Sequence, residues 1–149
     1  MTLSVRAMGP GDFVTWAEMA HALWPEEPRE ALLRDIAASV GSGFGERRGF
    51  LAEEDGVPVG YAEISLRPYA NGCAYQPVAF LEGIWVAPRA RRRGVGRALI
   101  DHLMSLAKAE GRREICSDAL LDNAASHAAH RAWGFGETER VVYFRLGLD

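Results

Sequence analysis

Residues 80–109, FLEGIWVAPRARRRGVGRALIDHLMSLAKA, decide the fold. The apolar run Val78–Val86 predicts a buried central strand. Pro88 and the arginines predict a short basic turn, and Val95–Glu110 predicts a helix with apolar residues at helical spacing. The turn itself is Arg91-Arg92-Arg93-Gly94-Val95-Gly96. Successive backbone N–H groups at the start of a helix converge on one small volume, which binds a phosphate or pyrophosphate without any particular side chain. The backbone of Arg92, Arg93, Gly94, Val95, Gly96 and Arg97 is therefore a candidate pyrophosphate cradle. Gly94 and Gly96 have no Cβ to hold a ligand off, and the arginines add charge-assisted donors.

Outward from this segment, the N-terminal half reads as a strand at Leu3–Met8, a helix at Phe13–Leu23 ended by Trp24-Pro25, and a helix at Pro28–Val40 stopped by Gly41-Ser42-Gly43. Strands at Gly49–Glu53 and Val57–Leu66 flank the hairpin signal Asp55-Gly56. Arg67–Pro77 is a loop. Downstream, Glu114–Ala119 reads as a strand, Asn123–Trp133 as a helix stopped by Gly134, and Gly136–Leu146 as a long apolar final strand. The order β-α-α-β-β-β-α-β-α-β makes residues 1–149 a single α/β domain with a mixed sheet.

The 149 residues are 48% hydrophobic and 25% charged, as in a soluble globular domain with room for a core. The N-terminal residues do not read as a signal peptide, and no apolar run is long enough to span a bilayer, so a cytoplasmic protein without a membrane role is expected. Cys73 and Cys116 match no metal-ligand spacing and read as reduced thiols, and His127 and His130 lack a third ligand, so no metal is expected. The net charge of −3 is unevenly spread: five arginines and no acid lie within Arg89–Arg97. Setting those five aside from the seventeen basic residues leaves twelve against twenty acidic, a balance of −8. One small anion-binding spot on an acidic body suits an anionic cofactor and a cationic second substrate, and argues against nucleic acid, which wants an extended basic face.

The stretch Ile84-Trp85-Val86-Ala87-Pro88, followed by Arg91-x-x-Gly94-x-Gly96, resembles the acyl-CoA site of the GNAT superfamily of N-acetyltransferases. The order of elements along nearly the whole chain is similar to that of the same family. Asn123 and Gly134-Phe135 sit where the family opens and closes its last helix, which implies a cofactor contact at Asn123. Many members carry a Tyr seven residues after that Asn as the acid for the departing thiolate; here the position is His130, which reads equally as a packed helix residue. More narrowly, Leu23-Trp24-Pro25, Tyr69-x-Asn71-Gly72-Cys73, Phe80-Leu81-Glu82-Gly83-Ile84, Ser117-Asp118, Asn123 and Glu137-Thr138-Glu139-Arg140 resemble bacterial aminoglycoside 6′-N-acetyltransferases. The resemblance implies acetyl-CoA as co-substrate and an aminoglycoside as acceptor. It further implies substrate contacts at Trp24, Glu27, Tyr69, Glu82, Asp118 and Glu139.

Transfer to an amine needs a held thioester, a free amine, a proton acceptor and a stabilised carbonyl oxygen. The backbone of Ile84, Trp85 and Val86 can hold the pantetheine arm like an added strand, and an N–H of Trp85 or Val86 can face the developing oxyanion. Asp118 is expected to orient the ammonium and Glu82 to take its proton. Glu82 interrupts an apolar strand, a position that demands a cleft or a partner. Trp24 reads either as core or as a substrate contact, and Glu137 and Glu139 alternate, so only one faces the cleft. Val141-Val142-Tyr143-Phe144 is apolar on both faces, and a homodimer through this strand is expected. An acceptor other than an aminoglycoside (a polyamine, another amino sugar or a protein amine) and a non-catalytic acyl-CoA-binding module remain open on the sequence.

Overall fold

The computed structural model describes residues 2–41 and 46–149, so Ser42 and Gly43 of the expected helix stop lie outside it. Strands β1 (Leu3–Ala7), β2 (Arg48–Glu54), β3 (Val57–Arg67) and β4 (Val78–Val86) form one sheet in the order β1-β2-β3-β4. Each neighbouring pair is antiparallel. The hairpin between β2 and β3 turns at Asp55 and Gly56, with φ of 49° and 81°, the left-handed pair that an Asp-Gly turn favours.

The helices divide between the two faces of the sheet. Helix α3 (Val95–Ala109) buries Val95, Leu99, Ile100 and Leu103 against Ala62, Ile64, Ala79 and Leu81. Helices α1 (Phe13–Leu23) and α2 (Arg29–Ser39) cover the opposite face, where Trp16, Ala20, Leu32 and Ile36 meet Leu51 and Tyr61. Alternation along β3 explains the division, since even-numbered Ala62 and Ile64 face α3 and odd-numbered Tyr61 faces α1. Helix α4 (Ala124–Ala132) follows, its Asn123 cap accepting from the Ser126 N–H at 3.1 Å.

Two expected strands differ. The segment 114–119 touches β4 through one parallel bridge, Phe80 to Cys116, with Leu81 N–H donating to the Cys116 carbonyl at 2.8 Å and Cys116 N–H to the Ala79 carbonyl at 2.9 Å. That bridge makes the sheet mixed, but pairing stops there. Residues 136–146 form no strand. Their apolar run is strand-like, yet a strand needs an edge to pair with, and none lies opposite among the described residues of one chain.

The α1 face encloses a charge. Glu63 is 2% exposed and accepts from Arg47 Nε at 2.6 Å, Arg47 Nη2 at 3.1 Å and Trp16 Nε1 at 3.1 Å. A buried carboxylate is tolerable only while such partners remain. Glu63→Ala leaves the Arg47 guanidinium without its counter-ion beneath α1, and is expected to lower unfolding free energy by about 3 kcal/mol. Urea denaturation of the variant beside the parent chain measures this.

Candidate active site

The β3–β4 register slips at one point. Glu63 pairs with Gly83 and Ile64 with Leu81, so Glu82 is an extra residue on β4. Such a bulge re-aims the side chains around it. Below it Ala79 and Leu81 face α3; above it Ile84 and Val86 do. At the bulge Glu82 turns to the α1 face. It accepts there from Ser65 Oγ, from Arg67 Nε at 2.8 Å and from Arg67 Nη2 at 2.6 Å. Arg67 in turn lies over the Phe80 ring, 3.6 Å from its centroid.

This setting fixes the protonation of Glu82. Burial pushes its carboxyl up, but Arg67 and Ser65 together outweigh burial and hold it below the ordinary carboxylate range. Glu82 is an ionised, half-buried anion at neutral pH and a weaker base than a free glutamate.

Gly83 beside it is bare for a reason of space. A Cβ there would lie 2.8 Å from Trp24 Cη2, so the indole lies against the β4 backbone next to Glu82. Trp24 also lines a shallow cavity with Glu26, Glu27, Leu32 and Asp35. On the other side of Glu82, Asp118 is exposed just beyond the Cys116 bridge, close enough for its charge to raise Arg67. Tyr69 is 61% exposed and donates from its hydroxyl to Asn71 Oδ1 at 2.8 Å. Asn71 Nδ2 donates to the Tyr143 hydroxyl at 3.4 Å. A Cβ on Gly72 would lie 3.5 Å from Glu139 Cβ, which brings Glu139 to this loop, whereas Glu137 turns to Arg140 at 2.5 Å. The fold thus gathers aromatic and acidic side chains from α1, β4, the loop after β3 and the C-terminal segment.

Above the Cys116 bridge, the outer edge of β4 at Ile84, Trp85 and Val86 has no strand beside it among the described residues. This free edge runs into the basic turn. Gly94, at φ 84°, opens α3, and no side chain caps it. The first N–H groups of α3 therefore point outward without an internal acceptor. Arg92 is also left-handed, at φ 63°, and exposed. The other arginines have partners: Arg91 Nε donates to the Val86 carbonyl at 2.9 Å, Arg93 pairs with Glu54, and Arg97 donates to the Ala132 carbonyl at 2.6 Å and the Trp133 carbonyl at 3.2 Å. A free strand edge leading to an uncapped helix start offers a pantetheine arm an extended partner and a pyrophosphate a set of N–H donors.

Residues 13–135 match the acetyltransferase (GNAT) family. The chain belongs to that family. It is 42% identical over 149 residues to an aminoglycoside N(6′)-acetyltransferase type 1 of Stenotrophomonas maltophilia, covering 98% of this chain and 94% of that protein. It is 38% identical over 144 residues to a protein of the same name from Salmonella enteritidis, covering 96% and 98%. Among solved structures it is similar to AAC(6′)-Iy in complex with the bisubstrate analogue CoA-S-monomethyl-acetylneamine, at a TM-score of 0.90 and 37% identity over 99% of this chain and 100% of that one. It is also similar to the 6′-N-acetyltransferase AAC(6′)-Ih from Acinetobacter baumannii, at a TM-score of 0.88 and 35% identity over 99% and 100% of the two chains.

Within this GNAT fold, His130 is engaged at both ring nitrogens. Nδ1 lies 2.7 Å from the Ser126 carbonyl, which can only accept, so Nδ1 carries the proton there. Nε2, 2.8 Å from Ser117 Oγ, then accepts from that hydroxyl. The ring also packs against Trp133 and Phe135, with centroids 5.6 and 5.1 Å away. A proton leaving His130 toward a bound thiolate would pass through Ser117 or break that hydrogen bond. Sequence reasoning missed Ser65, Arg67, Glu26 and Asp35. Ser65 and Arg67 were legible in principle, since they alternate with Tyr61 and Glu63 on the α1 face of β3.

The second turn glycine has a role the sequence did not suggest. A Cβ on Gly96 would lie 2.9 Å from Trp133 Cζ2, so its bareness admits the indole that joins α3 to α4. Gly96→Ala is expected to destabilise the fold by roughly 1–3 kcal/mol through this collision. Trp133→Leu in the same background should recover part of the loss. Thermal unfolding of the two single variants and the double variant reads the coupling.

Proposed function

We propose that this GNAT chain is an acetyl-CoA-dependent aminoglycoside 6′-N-acetyltransferase. It moves acetyl directly from the thioester to the 6′-amine and so confers aminoglycoside resistance. The observation that carries the reading is the ionised Glu82, held beside Trp24 where the edge of β4 falls free. Relatives bearing that activity in their names, alike over almost the full length, support it. The chain works as one domain in the cytoplasm, where its acyl-CoA co-substrate is available. No helix among the described residues is long and apolar enough to cross a membrane.

The backbone of Ile84, Trp85 and Val86 binds the pantetheine arm, the N–H groups of Arg92–Arg97 hold the pyrophosphate, and Asn123, its Oδ1 spent on the α4 cap, offers its amide N–H₂ to the cofactor. Trp24, Tyr69, Glu27, Asp118 and Glu139 receive the polycationic acceptor through stacking and charge. A primary amine is mostly ammonium at pH 7, its reference pKa being about 10, and only the neutral form attacks. Asp118 and Glu82 fix the nitrogen against the carbonyl carbon. Attack turns that nitrogen into a far stronger acid, to which even a carboxylate held below its usual range is base enough, directly or through water. A Trp85 or Val86 N–H stabilises the oxyanion, and collapse expels the CoA thiolate. A thiolate is a good leaving group, so proton supply by way of Ser117, which needs the doubly protonated His130 ring with Nε2 donating to Ser117 Oγ, is a modest aid.

Thiol release from acetyl-CoA, measured against aminoglycosides with and without a 6′-amine and against polyamines and peptides, tests the reading. Turnover confined to the 6′-amines is expected; turnover of polyamines or peptides alone would overturn it. Glu82→Gln should raise acceptor KM and lower kcat while leaving acetyl-CoA affinity intact. Because Glu82 is held below the usual range, it stays ionised as pH falls until well into the acid region. The acidic limb of the kcat/KM profile therefore belongs to the free amine, and its midpoint should be the same in Glu82→Gln. A limb that vanished in the variant would make Glu82 the titrating base.

Dimerisation belongs to the same proposal. Val142, Tyr143, Phe144, Leu146 and Leu148 are 75%, 80%, 94%, 86% and 90% exposed, a run of apolar surface that a monomer does not keep in water. A second copy covers it, and because Glu139 lies on the same segment, subunit contact and the acidic wall are joined. Light scattering at micromolar protein should give the mass of two chains, and Phe144→Glu with Val142→Glu the mass of one.

A further inference from the structure

Cys73 ends the loop that carries Tyr69, and Glu114 and Cys116 precede Ser117-Asp118; none of the three has a part in the proposed transfer chemistry. Each is half-buried, and the two sulfurs and a Glu114 carboxylate oxygen all lie within 4.8 Å of one another. These are the chain's two cysteines. The surroundings fix all three. Glu114 Oε1 accepts from the N–H groups of Ala74 and Tyr75 at 2.7 and 2.8 Å, which aims the carboxylate and ties down the loop. Cys116 is fixed by its backbone bridge to β4. The Cys73 and Cys116 side chains pack against the small apolar cluster of Ala70, Val78 and Phe80.

We propose that Cys73, Cys116 and Glu114 form a binding site for one thiophilic divalent cation, of the zinc and cadmium class. Four-coordinate zinc, with bonds of about 2.3 Å to sulfur and about 2.0–2.2 Å to oxygen, sets its ligands roughly 3.5–4 Å apart, so modest side-chain rotation closes the observed triangle. Two soft thiolates select such an ion over magnesium or calcium. Two thiol protons leave to solvent, the carboxylate binds as it stands, and water takes the fourth position. No electron moves. Three anionic ligands crowd one pocket, and a dication offsets their charge.

The site bridges two parts of the acceptor region. Cys73 ends the Tyr69-x-Asn71-Gly72 loop, and Cys116 precedes Ser117-Asp118. Ion binding thus clamps the loop to the segment bearing Asp118, without touching the free edge of β4 or the basic turn. The binding itself does not depend on the acyl-transfer reading; its effect on acceptor KM does.

Cadmium titration of the phosphine-reduced full-length protein, followed by thiolate-to-cadmium charge-transfer absorption, is the test. A saturable band at one cadmium per chain is expected, absent from the Cys73→Ser/Cys116→Ser double variant. Glu114→Gln keeps an acceptor for the Ala74 and Tyr75 N–H groups, and should weaken binding by at least about tenfold. Cadmium NMR of the unaltered protein needs no variant and should show a resonance in the range of two sulfur ligands. No saturable band, a resonance without sulfur, or equal affinity in the parent chain and Glu114→Gln would each overturn the site.

Discussion

The bulge that β4 carries at Glu82 is the constraint on which the rest of the site depends. One extra residue between the Ile64–Leu81 and Glu63–Gly83 pairs reverses which side chains face α3. It turns bare Gly83 toward Trp24, beside Glu82, which keeps the face opposite α3 and meets Ser65 and Arg67 there. Just below it lies the bridge to Cys116, above which β4 has no neighbour on its outer side among the described residues.

Two carboxylates inside this fold contrast in what their partners achieve. Glu63 is sealed by Arg47 and Trp16 beneath α1, and its position suits stability. Glu82 also has an arginine, Arg67, which Asp118 reaches as well, but the carboxylate stays only half-buried. Partnering arginines lower the basicity of a carboxylate while keeping it ionised, which favours binding and orientation over strong proton abstraction. For an acceptor already protonated in water, that division of labour is chemically reasonable. The basic turn follows a different rule: several of the arginines that make it basic are used to fasten it to Val86, Glu54, Ala132 and Trp133.

The same pattern of close approach recurs at two glycines that each meet a tryptophan near the site. Gly83 admits Trp24, and Gly96 admits Trp133. One contact sets the indole beside Glu82 and the other locks α4 to the start of α3. In both cases the glycine matters for what it leaves room for, whereas Gly94, with its left-handed φ of 84°, is used for its conformation.

Local chemistry by itself determined a good deal. The period of the apolar residues gave α1, α2 and α3, Asp55-Gly56 gave the hairpin, and Gly94 with the arginines gave the basic turn, because each depends on neighbours a few residues away. The acidic surplus outside that turn already pointed to a cationic partner. Tertiary structure decided what depends on distant pairing. Residues 114–119 and 136–146 have strand-like sequences, but strand formation requires an edge, and here one finds a single bridge and the other none. Which side Ile84 and Val86 face depends on a register slip that no periodicity encodes. Ser65 and Arg67 became its partners only across the β3–β4 pairing. Cys73 and Cys116, unrelated by spacing, meet because the β4 bridge and the Glu114 hydrogen bonds bring a loop and a strand together. A sequence reports its own local preferences; contacts between remote segments exist only once the chain has closed on itself.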